Sequence, residues 1–464
     1  MYQNFEIPNE DLAPLTRGRD PALSHTGDRG RLLRVHRAHV AAAAVGEAPP
    51  VGPYLMGRIA DSRTMLEASA ALGRRGPKAP GPSQLRLDHL DSGEICSLCR
   101  ALATSVREGS YRPGRETKKR IPKEGHPGQF REVTLQNQED RLVGKSAQLI
   151  LEPVVEREFS PFSFGFRQRQ GPMHALATLL AFARAKRRWF WVSADIEKAF
   201  DRVPFARLLD ACRVHFPDDV IRFIDRIAYT GKKRGERQGS PASPFLFNIF
   251  ADQFLDLPWH RKQIDVPLFR YVDDLLVPCD SEAEGSDSYE KLAQLTTSAG
   301  TPLKGVAAES VYDLTAGQSI EWLGFLMRRE QDRLAIRIGE KAWDRLGWRL
   351  AKAHLMPASP LRAVQIVRGW VDAMGPCFPF EDRDAAMRRV QDTAARLAFD
   401  EIPSSEGLLR RWGASHARWN RLYAEQCALL PSRLHALADY VRPNCSSVQR
   451  HVRKPSVRPK EPIP

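Results

Sequence analysis

The chain has 464 residues, of which 42% are hydrophobic and 27% are charged, proportions that exclude a wholly disordered chain and a collagen-like one. We therefore expect a folded, water-soluble protein with more than one structural unit. Its 70 Lys and Arg residues against 56 Asp and Glu residues leave a net charge of +14, which favours a polyanionic partner such as nucleic acid, although basic proteins of other kinds share this excess.

Signals for membrane insertion and secretion are missing from the sequence. No stretch approaches the about 20 consecutive apolar residues that a membrane span needs. The first residues lack the basic start and apolar run of a signal peptide. The seven cysteines are an odd number spread thinly along the chain, which suits a reducing compartment better than a disulfide framework. We therefore expect a cytoplasmic protein with no membrane partner.

The first part of the chain reads as an extension followed by a helix. Residues 1–84 are rich in Pro, Gly, Arg and Ala, which predicts a segment of uncertain order with one helix around 31–45. Residues 85–107 have helical apolar spacing. Cys96 and Cys99 lie inside this pattern without a second Cys or His pair at zinc-finger spacing, so we expect half-buried helical thiols rather than metal ligands.

A basic segment follows this helix. Residues 111–131 carry seven basic side chains against two acidic ones and contain several Pro and Gly residues. The combination predicts a pair of strand edges and loops rather than one exposed helix face.

The remaining chain changes character near residue 338. Residues 140–335 alternate helical patterns with short β-rich runs, which predicts a sheet covered by helices. Beyond this point we expect helices over 341–353, 361–374, 382–399 and 408–430. The part from Glu340 onward holds 21 basic residues against 13 acidic ones, and 441–464 is predicted to be a basic, flexible tail.

A strand that ends in a carboxylate is the first chemical signal. The aromatic and β-branched run 189–192 continues to Asp195, and a helical pattern that includes Phe200 follows. Metal-binding carboxylates are commonly presented at the C-terminal ends of such strands. An Asp here also caps ordinary helices, and taken alone the motif favours that role.

Two adjacent acids form the second signal. Asp273 and Asp274 lie between the β-rich runs 269–272 and 275–277, an arrangement that also fits a plain hairpin with Asp in its turn. Adjacent carboxylates between apolar strands repel each other unless a cation neutralises them, and Mg²⁺ prefers such oxygen ligands. With Asp195 they would form a two-metal site, which activates an attacking 3′-hydroxyl and stabilises in-line displacement at a phosphate.

The third signal is a loop that leads into an apolar helix. Ser243 as N-cap with Pro244 at the first helical position predicts the start of this helix. Gly239 lets a backbone or nucleotide come close, and Gln238 can hydrogen-bond a substrate. A loop that merely precedes a core helix would give Gln238 and Gly239 no role.

The order and spacing of these three signals resemble motifs A, B and C of the reverse transcriptases. Further segments agree in chain order with the bacterial group II intron-type enzymes: Ile121-Pro122-Lys123, Arg131, Asp140-Arg141, Leu151-Glu152-Pro153, Ser163-Phe164-Gly165-Phe166-Arg167, and His174-Ala175. Glu321-Trp322-Leu323-Gly324-Phe325 resembles the motif E hairpin, which is the primer grip. The resemblance covers residues 85–335, and the region of Arg368-Gly369-Trp370 is similar to that family's thumb.

The resemblance implies an α+β fold of the right-hand polymerase type, with fingers, a palm built on an antiparallel sheet, and a helical thumb. It divides the chain into an N-terminal extension (1–84), fingers and palm (85–335), a thumb-like helical unit (336–440) and the tail (441–464). It implies two Mg²⁺ ions held at Asp195, Ile196, Asp273 and Asp274, of which the three aspartates are catalytic.

The resemblance also implies the substrate contacts. The expected nucleotide-binding residues are Lys123, Arg131, Phe200, Gln238 and Gly239. Phe200 matches the steric gate that lies where a ribose 2′-hydroxyl would be and so favours deoxynucleotides. The expected primer grip consists of Trp322, Leu323 and Gly324.

These implications make an RNA-directed DNA polymerase the leading hypothesis, with an RNA template, a DNA or RNA primer and dNTPs as partners. A stand-alone enzyme that works with a cognate non-coding RNA in antiphage defence is the first biological role considered. Two alternatives stay open: a group II intron-encoded maturase and reverse transcriptase without an endonuclease, and a catalytically idle RNA-binding protein.

Three positions depart from the group II pattern. Arg237 stands where a Pro is usual, and Val272 stands where Ala is more usual. Glu309 lies where the family commonly has a lysine that protonates the leaving pyrophosphate. The general acid is therefore open, with Lys304 as the nearby lysine in this stretch.

Overall fold

The computed structural model describes residues 38–39, 41–43, 45–47, 50–75, 79–122, 128, 130–229, 231, 233–235, 239–331 and 333–442. Most of the helix expected over 31–45 lies outside these residues, as do Lys123, Gln238 and nearly all of the expected tail.

The first half of the chain is mainly helical around one hairpin. In chain order its elements are α1 (Val51–Ile59), α2 (Ser62–Arg75), α3 (Ser92–Arg107), β1 (Thr117–Pro122), β2 (Phe130–Leu135), α4 (Gln138–Val155), α5 (Pro172–Lys186), β3 (Phe190–Ile196), α6 (Ala199–Arg202), α7 (Phe205–Arg213) and α8 (Asp218–Ala228). Asp91 and Glu94 form a capping box that fixes the start of α3. Cys96 and Cys99 lie on α3 as expected, and burial raises the pKa of Cys99 to about 11.

The second half adds the remaining strands and a group of helices. Its elements are α9 (Ser243–Ala251), a π-helical segment (Asp252–Asp256), α10 (Leu257–Lys262), β4 (Phe269–Tyr271), β5 (Asp274–Cys279), α11 (Glu282–Ala299), β6 (Leu303–Lys304), β7 (Val311–Asp313), β8 (Ser319–Trp322), β9 (Phe325–Glu330), β10 (Arg333–Ile338), α12 (Glu340–Ala353), α13 (Ser359–Ala373), α14 (Arg383–Arg396) and α15 (Ser405–Val441). None of the described helices is long and apolar enough to cross a membrane.

The central sheet is antiparallel and has the strand order β4-β5-β3-β6, with β7 also paired to β3. Successive residues of a strand point to opposite faces, and the burial follows this period. Val192 and Ala194 belong to the core cluster that contains α7 and α8, whereas Trp191 belongs to the cluster that contains α5 and α12–α15. The sheet is therefore covered on both faces, and its strand ends are left to form the site.

The described part of the first 84 residues is packed against the body of the protein. Leu55 and Ile59 of α1 and Met65 of α2 belong to the first core. The Ser146 hydroxyl donates a hydrogen bond to the Ile59 carbonyl at 2.7 Å. The sequence did not predict these helices, because the Pro and Gly residues on either side dominate the local signal.

The last helix is longer than expected. The sequence predicts its end at residue 430, before Pro431, yet α15 continues through Pro431 to Val441. A proline inside a helix removes one backbone hydrogen bond. Contacts beyond the proline hold the helix in place: Arg433 donates to the Pro161 carbonyl at 2.7 Å, and Tyr440 donates to Asp252 at 2.9 Å.

The α+β class is confirmed. The β1–β2 hairpin, the antiparallel central sheet and the helices α12–α15 are the elements found where the sequence predicts fingers, palm and thumb. The second core runs from α5 through β8–β10 into α12–α15 without a break at residue 335. The domain boundaries drawn from the sequence remain a proposal.

Candidate functional site

The site is built where β3 and β5 pair. Asp195 in β3 lies directly opposite Asp274, the first residue of β5. Directly opposed residues of an antiparallel pair have side chains on the same face, so these two carboxylates share one face of the sheet. On its other side Asp195 pairs with Lys304 of β6, which places an exposed lysine in the same row.

Asp273 lies in the two-residue turn between β4 and β5. The Ile196 backbone N–H donates a hydrogen bond to the Asp273 carbonyl at 3.1 Å, which joins this turn to the end of β3. The other turn residue, Val272, has φ +62°, a left-handed conformation that is rare for a β-branched residue. The structure thus brings the three predicted aspartates together around a strained turn.

Gly165 explains how the turn is held from one side. A Cβ atom on this residue would lie 2.6 Å from the Val272 backbone nitrogen, so only glycine allows the segment 163–167 to pack here. The segment 163–167 therefore lies directly against the turn that carries Asp273.

Burial makes the two adjacent carboxylates costly to ionise. It raises the pKa of Asp274 to about 6 and also raises the pKa of Asp273. Two positive charges act in the opposite direction: Lys341 lowers the pKa of Asp274, and Arg270 lowers that of Asp273. Even with these charges nearby, the burial effect dominates at both groups.

The three aspartates fit a hard divalent cation. Among the residues that the structure describes, no three His, Cys, Asp or Glu side chains form a ready-made metal site. Mg²⁺ does not require one, since it is usually bound by one or two carboxylates and completed by water and substrate phosphates. A divalent cation would also compensate the charge that burial penalises at Asp273 and Asp274. The Ile196 side chain belongs to the core on the opposite face, so only its backbone oxygen is available to a metal.

Phe200 lies just beyond β3, on the short helix α6. It is buried, with its ring 4.8 Å from that of Phe247 on α9 and 6.3 Å from that of Phe166. Phe166 is 39% exposed, so the aromatic group reaches from the core to the surface. Packing from two elements fixes the position of the Phe200 ring, as a steric gate requires.

Gly239 lies where the loop before α9 contacts the β1–β2 hairpin. It has φ +86°, and a Cβ atom there would lie 2.8 Å from the Thr134 carbonyl of β2. Both facts require glycine at this position. Gln238 lies outside the described residues.

The predicted N-cap of α9 is wrong by one residue. Ala242, not Ser243, occupies the cap position, and no side chain caps this helix end. The reason is a preceding turn: Ser243 N–H bonds to the Ser240 carbonyl at 3.2 Å, and Leu246 N–H already bonds to the Ala242 carbonyl at 3.1 Å. The helical bonds therefore begin one carbonyl earlier than the Ser-Pro signal suggested.

The basic segment forms the predicted pair of strands. β1 and β2 are antiparallel, with Ile121 opposite Arg131 and Pro122 opposite Phe130. Arg131 thus lies in β2 next to Phe130, which is 52% exposed and has the Arg120 guanidinium 5.0 Å from its ring centre. Lys123 lies outside the described residues.

The expected primer grip is the tight turn between β8 and β9. Leu323 and Gly324 both have positive φ, at +54° and +84°, which matches a two-residue hairpin turn of type I′. Trp322 at the start of this turn is buried, and its indole nitrogen has no hydrogen-bond partner within the part of the chain that the structure describes. Lys341 at the start of α12 pairs with Glu321 of β8 at 3.1 Å, and it is the same lysine that lowers the pKa of Asp274.

Three residues near the site were not assigned from the sequence. Lys341 is a basic residue at the start of a helix, a placement with no local signal of function. Lys304 was noted only as a nearby lysine, and its pairing with Asp195 became visible through the sheet register. Arg270 was taken as part of a β-rich run, although an arginine in an apolar strand is a signal of a buried partner.

The sequence matches known proteins over the region that carries this site. Residues 121–326 match the model of a family described as "Reverse transcriptase (RNA-dependent DNA polymerase)". The chain is 27% identical over 203 residues to Protein YkfC of Escherichia coli (strain K12), a match that covers 40% of this chain and 52% of that protein. It is 29% identical over 182 residues to the "Uncharacterized 91 kDa protein in cob intron" of Schizosaccharomyces pombe, which covers 36% of this chain and 22% of that protein.

A third relative carries a functional name. The group II intron-encoded protein LtrA of Lactococcus lactis subsp. cremoris is 26% identical over 175 residues, which covers 35% of this chain and 28% of that protein. The chain spans less than two thirds of the length of each of these relatives. Among solved structures, the telomerase from Candida albicans superposes with a TM-score of 0.37 at 12% identity, covering 70% of this chain and 66% of that one.

Proposed function

We propose that this chain, whose residues 121–326 form a reverse transcriptase domain resembling those of group II intron-encoded proteins, is an RNA-directed DNA polymerase. The observation that carries the proposal is the sheet register that sets Asp195 opposite Asp274, with Asp273 in the adjoining turn. The partners we propose are an RNA template, a DNA or RNA primer, dNTPs and two Mg²⁺ ions.

The primer 3′-hydroxyl loses its proton to water, its oxygen forms a bond to the α-phosphorus of a dNTP, and the bond from that phosphorus to the oxygen that bridges to the β-phosphate breaks. Bound Mg²⁺ would lower the pKa of the 3′-hydroxyl and stabilise the charge that develops on the phosphate oxygens. Asp195, Asp273 and Asp274 would hold the ions. Pyrophosphate leaves in line with the attack.

Other residues of the chain select and position the nucleotide. We assign the triphosphate to Lys123 and Arg131, because an ammonium and a forked guanidinium suit phosphate oxygens. Phe200 excludes a 2′-hydroxyl because its ring is packed against Phe247 and is not free to move aside. Gln238 and Gly239 adjoin the nucleotide, while Trp322, Leu323 and Gly324 support the primer end.

We assign the proton for the leaving pyrophosphate to Lys304. It lies opposite Asp195 in the sheet and is exposed, so its ammonium group is within reach of a substrate at the carboxylates. Glu309, the residue at the family's usual lysine position, ends a short 3₁₀ turn and lacks the ammonium group that a lysine would supply. Lys304 would therefore take the place of the lysine that the family commonly has at the position of Glu309.

The test of the function is dNTP incorporation on a primed RNA template with Mg²⁺. We expect the double variant Asp273→Asn and Asp274→Asn to abolish incorporation, because amides cannot replace two anionic ligands. Asp287→Asn on α11, an exposed acid that pairs with Lys291, is the matched control and is expected to polymerise normally. Incorporation by the double variant at the rate of the parent would refute the assigned metal site.

For the biological role we propose a stand-alone enzyme that copies a cognate non-coding RNA in antiphage defence. A group II intron maturase is the second candidate, favoured by the name of the Lactococcus lactis relative. Sequencing the nucleic acid that copurifies with the protein distinguishes them. Intron RNA would indicate a maturase, and a separate structured RNA would indicate defence. A protein with bound RNA that incorporates no dNTP would instead be an idle RNA-binding protein.

A further inference from the structure

A fully buried arginine lies two residues before the turn that carries Asp273. Arg270 of β4 has no exposed surface, and its guanidinium makes a forked ion pair with Asp256, with Nε–Oδ1 at 2.8 Å and Nη2–Oδ2 at 2.7 Å. Asp256 is also almost completely buried. Neither residue is among the predicted site residues.

The partner of Arg270 comes from an irregular turn of helix. Asp256 ends the π-helical segment Asp252–Asp256 between α9 and α10. Single-turn π-helical segments of this kind occur frequently at functional sites. The π-helical segment continues α9, the helix that follows the loop containing Gly239. The ion pair between Asp256 and Arg270 therefore links this helix to the strand that leads into the Val272–Asp273 turn.

The remaining donors of Arg270 reach the surroundings of the turn. Nη1 donates to the Val272 carbonyl at 3.3 Å, within the turn itself, and to Asn248 Oδ1 of α9 at 3.0 Å. Nη2 donates to the Ser163 hydroxyl at 2.7 Å. One side chain therefore connects the turn, α9 and the segment 163–167.

Asn248 closes this network on the other side of the turn. Its amide nitrogen donates to the Gly165 carbonyl at 2.8 Å, and Gly165 is the residue whose missing Cβ lets it approach Val272. The backbone of Arg270 adds two bonds to the same segment, with the Phe162 carbonyl at 3.0 Å and the Phe164 N–H at 2.9 Å. The strained Val272 is thus clamped between Gly165 and the Arg270 guanidinium.

We propose that Arg270 is a positioning residue for polymerisation, which fixes the Val272–Asp273 turn and so sets where the Asp273 and Asp274 carboxylates meet the metal ions. The proposal rests on the proposed function. A strained turn keeps its shape only when its surroundings determine it, and the contacts of Arg270 supply that determination. Groups behind metal ligands, rather than the ligands alone, commonly set metal affinity.

The bonding pattern separates this role from simple stabilisation. A buried ion pair by itself is weak grounds for stability, since apolar replacements are often tolerated. Arg270 uses its additional donors on the turn and on the two segments that enclose it. Lysine keeps the charge but lacks the planar fork, so it cannot satisfy these acceptors together.

The experiment compares full-length parent, Arg270→Lys and Asn248→Ala in dNTP incorporation on a primed RNA template across a Mg²⁺ titration. Asn248→Ala leaves the ion pair intact and is the variant that keeps the test valid if Arg270→Lys does not fold. Arg188→Lys is the matched control. Arg188 is a largely buried arginine that pairs with Asp280 and Glu284 beside the opposite end of β3.

For Arg270→Lys and Asn248→Ala we expect the half-saturating Mg²⁺ concentration to rise about 10-fold, with the KM for dNTP little changed. Arg188→Lys is expected to keep the Mg²⁺ requirement of the parent, whatever it loses in Tm. A lower Tm with an unchanged Mg²⁺ requirement in both site variants would overturn the proposal. A parent protein that incorporates no dNTP would instead refute the proposed function.

Discussion

Phe200, Lys304 and Val272 have local settings that the neighbouring residues in the sequence do not explain. Phe200 is buried on a helix of four residues, yet its ring is fixed by Phe247 from a distant part of the chain. Lys304 is exposed on a two-residue strand opposite Asp195. Val272 has a left-handed backbone conformation that costs on the order of 1–3 kcal/mol. The chemistry proposed for the site gives each of these three residues a role.

The steric gate gives the first prediction at this scale. Phe200→Ala removes the ring that would meet a ribose 2′-hydroxyl, so we expect discrimination between dNTPs and rNTPs to fall by about 10-fold or more. The measurement is the ratio of the two incorporation efficiencies, which is internal to each variant. Phe216→Ala removes an equally buried ring away from the site and is expected to leave the ratio unchanged. An unaltered ratio in Phe200→Ala would exclude the gate.

The general acid gives the second prediction. Lys304→Ala is expected to slow single-nucleotide incorporation by about 100-fold, with little effect on dNTP affinity. Glu309→Ala is expected to behave like the parent. A single-nucleotide incorporation rate that Lys304→Ala leaves unaltered would place the proton donor elsewhere.

At the scale of elements, helix α15 and the π-helical segment meet at one buried acid. Asp252 accepts hydrogen bonds from the Ser160 N–H at 3.1 Å and from the Tyr440 hydroxyl at 2.9 Å. Burial, with the neighbouring Asp256, raises the pKa of Asp252 to about 7, and Arg270 acts in the opposite direction. Helix α15 and the π-helical segment are therefore joined through a carboxyl group whose pKa lies near neutral pH.

This contact predicts a pH-dependent stability. A carboxyl whose pKa is raised on folding costs stability that grows as the pH rises from the unfolded pKa to the folded pKa, and the cost is constant above the folded pKa. We expect Asp252→Asn to be more stable than the parent at pH 8, on the order of 1–3 kcal/mol, with a difference that shrinks as the pH falls and vanishes only below the unfolded pKa of about 3.9. Urea unfolding across this range measures the difference.

Burial lowers the pKa of the nearby His260 to about 3, and both the parent and Asp252→Asn contain this residue. The difference in unfolding free energy between parent and variant therefore reports on Asp252. The amide still accepts the two hydrogen bonds, so no partner is left unsatisfied. Parallel stability curves for parent and variant would show that Asp252 does not titrate in this range.

At the scale of the whole molecule, the charge is divided between two regions. Seven basic residues against two acidic ones lie in 111–131, whose described part includes β1, and 21 against 13 lie from Glu340 onward, a part of the chain that includes α12–α15. The three predicted metal ligands lie between these two regions in the sequence.

This distribution predicts a steep salt dependence of nucleic-acid binding. We expect the affinity for an RNA template with a DNA primer to fall about 10³-fold or more between 50 and 200 mM salt. Lys119→Ala on β1 and Arg362→Ala on α13 each replace an exposed basic residue and should each reduce the log–log slope by about 1. Fluorescence anisotropy measures both. Slopes that neither variant alters would mean that these regions do not contact phosphates.

The sequence by itself predicted the class of fold, the three aspartates and the family resemblance. The structure confirms the α+β class, the family match over 121–326 confirms the resemblance, and the roles of the aspartates stay a prediction. Each of these depends on residues close together in the chain, such as a strand that ends in Asp195 or a turn with Asp273 and Asp274. Local patterns of this kind can be recognised in the sequence because they reflect backbone geometry and the spacing of apolar residues.

Only the tertiary structure decided which distant parts of the chain contact each other. It placed Lys304 against Asp195, packed α1 and α2 into the core, carried α15 past Pro431, and enclosed Arg270 among partners from four segments of the chain. These contacts join residues far apart in sequence, and their free energies arise from burial and from hydrogen bonds that must be satisfied once water is excluded. A local pattern such as an arginine in an apolar strand indicates that a buried partner exists, but it does not identify that partner.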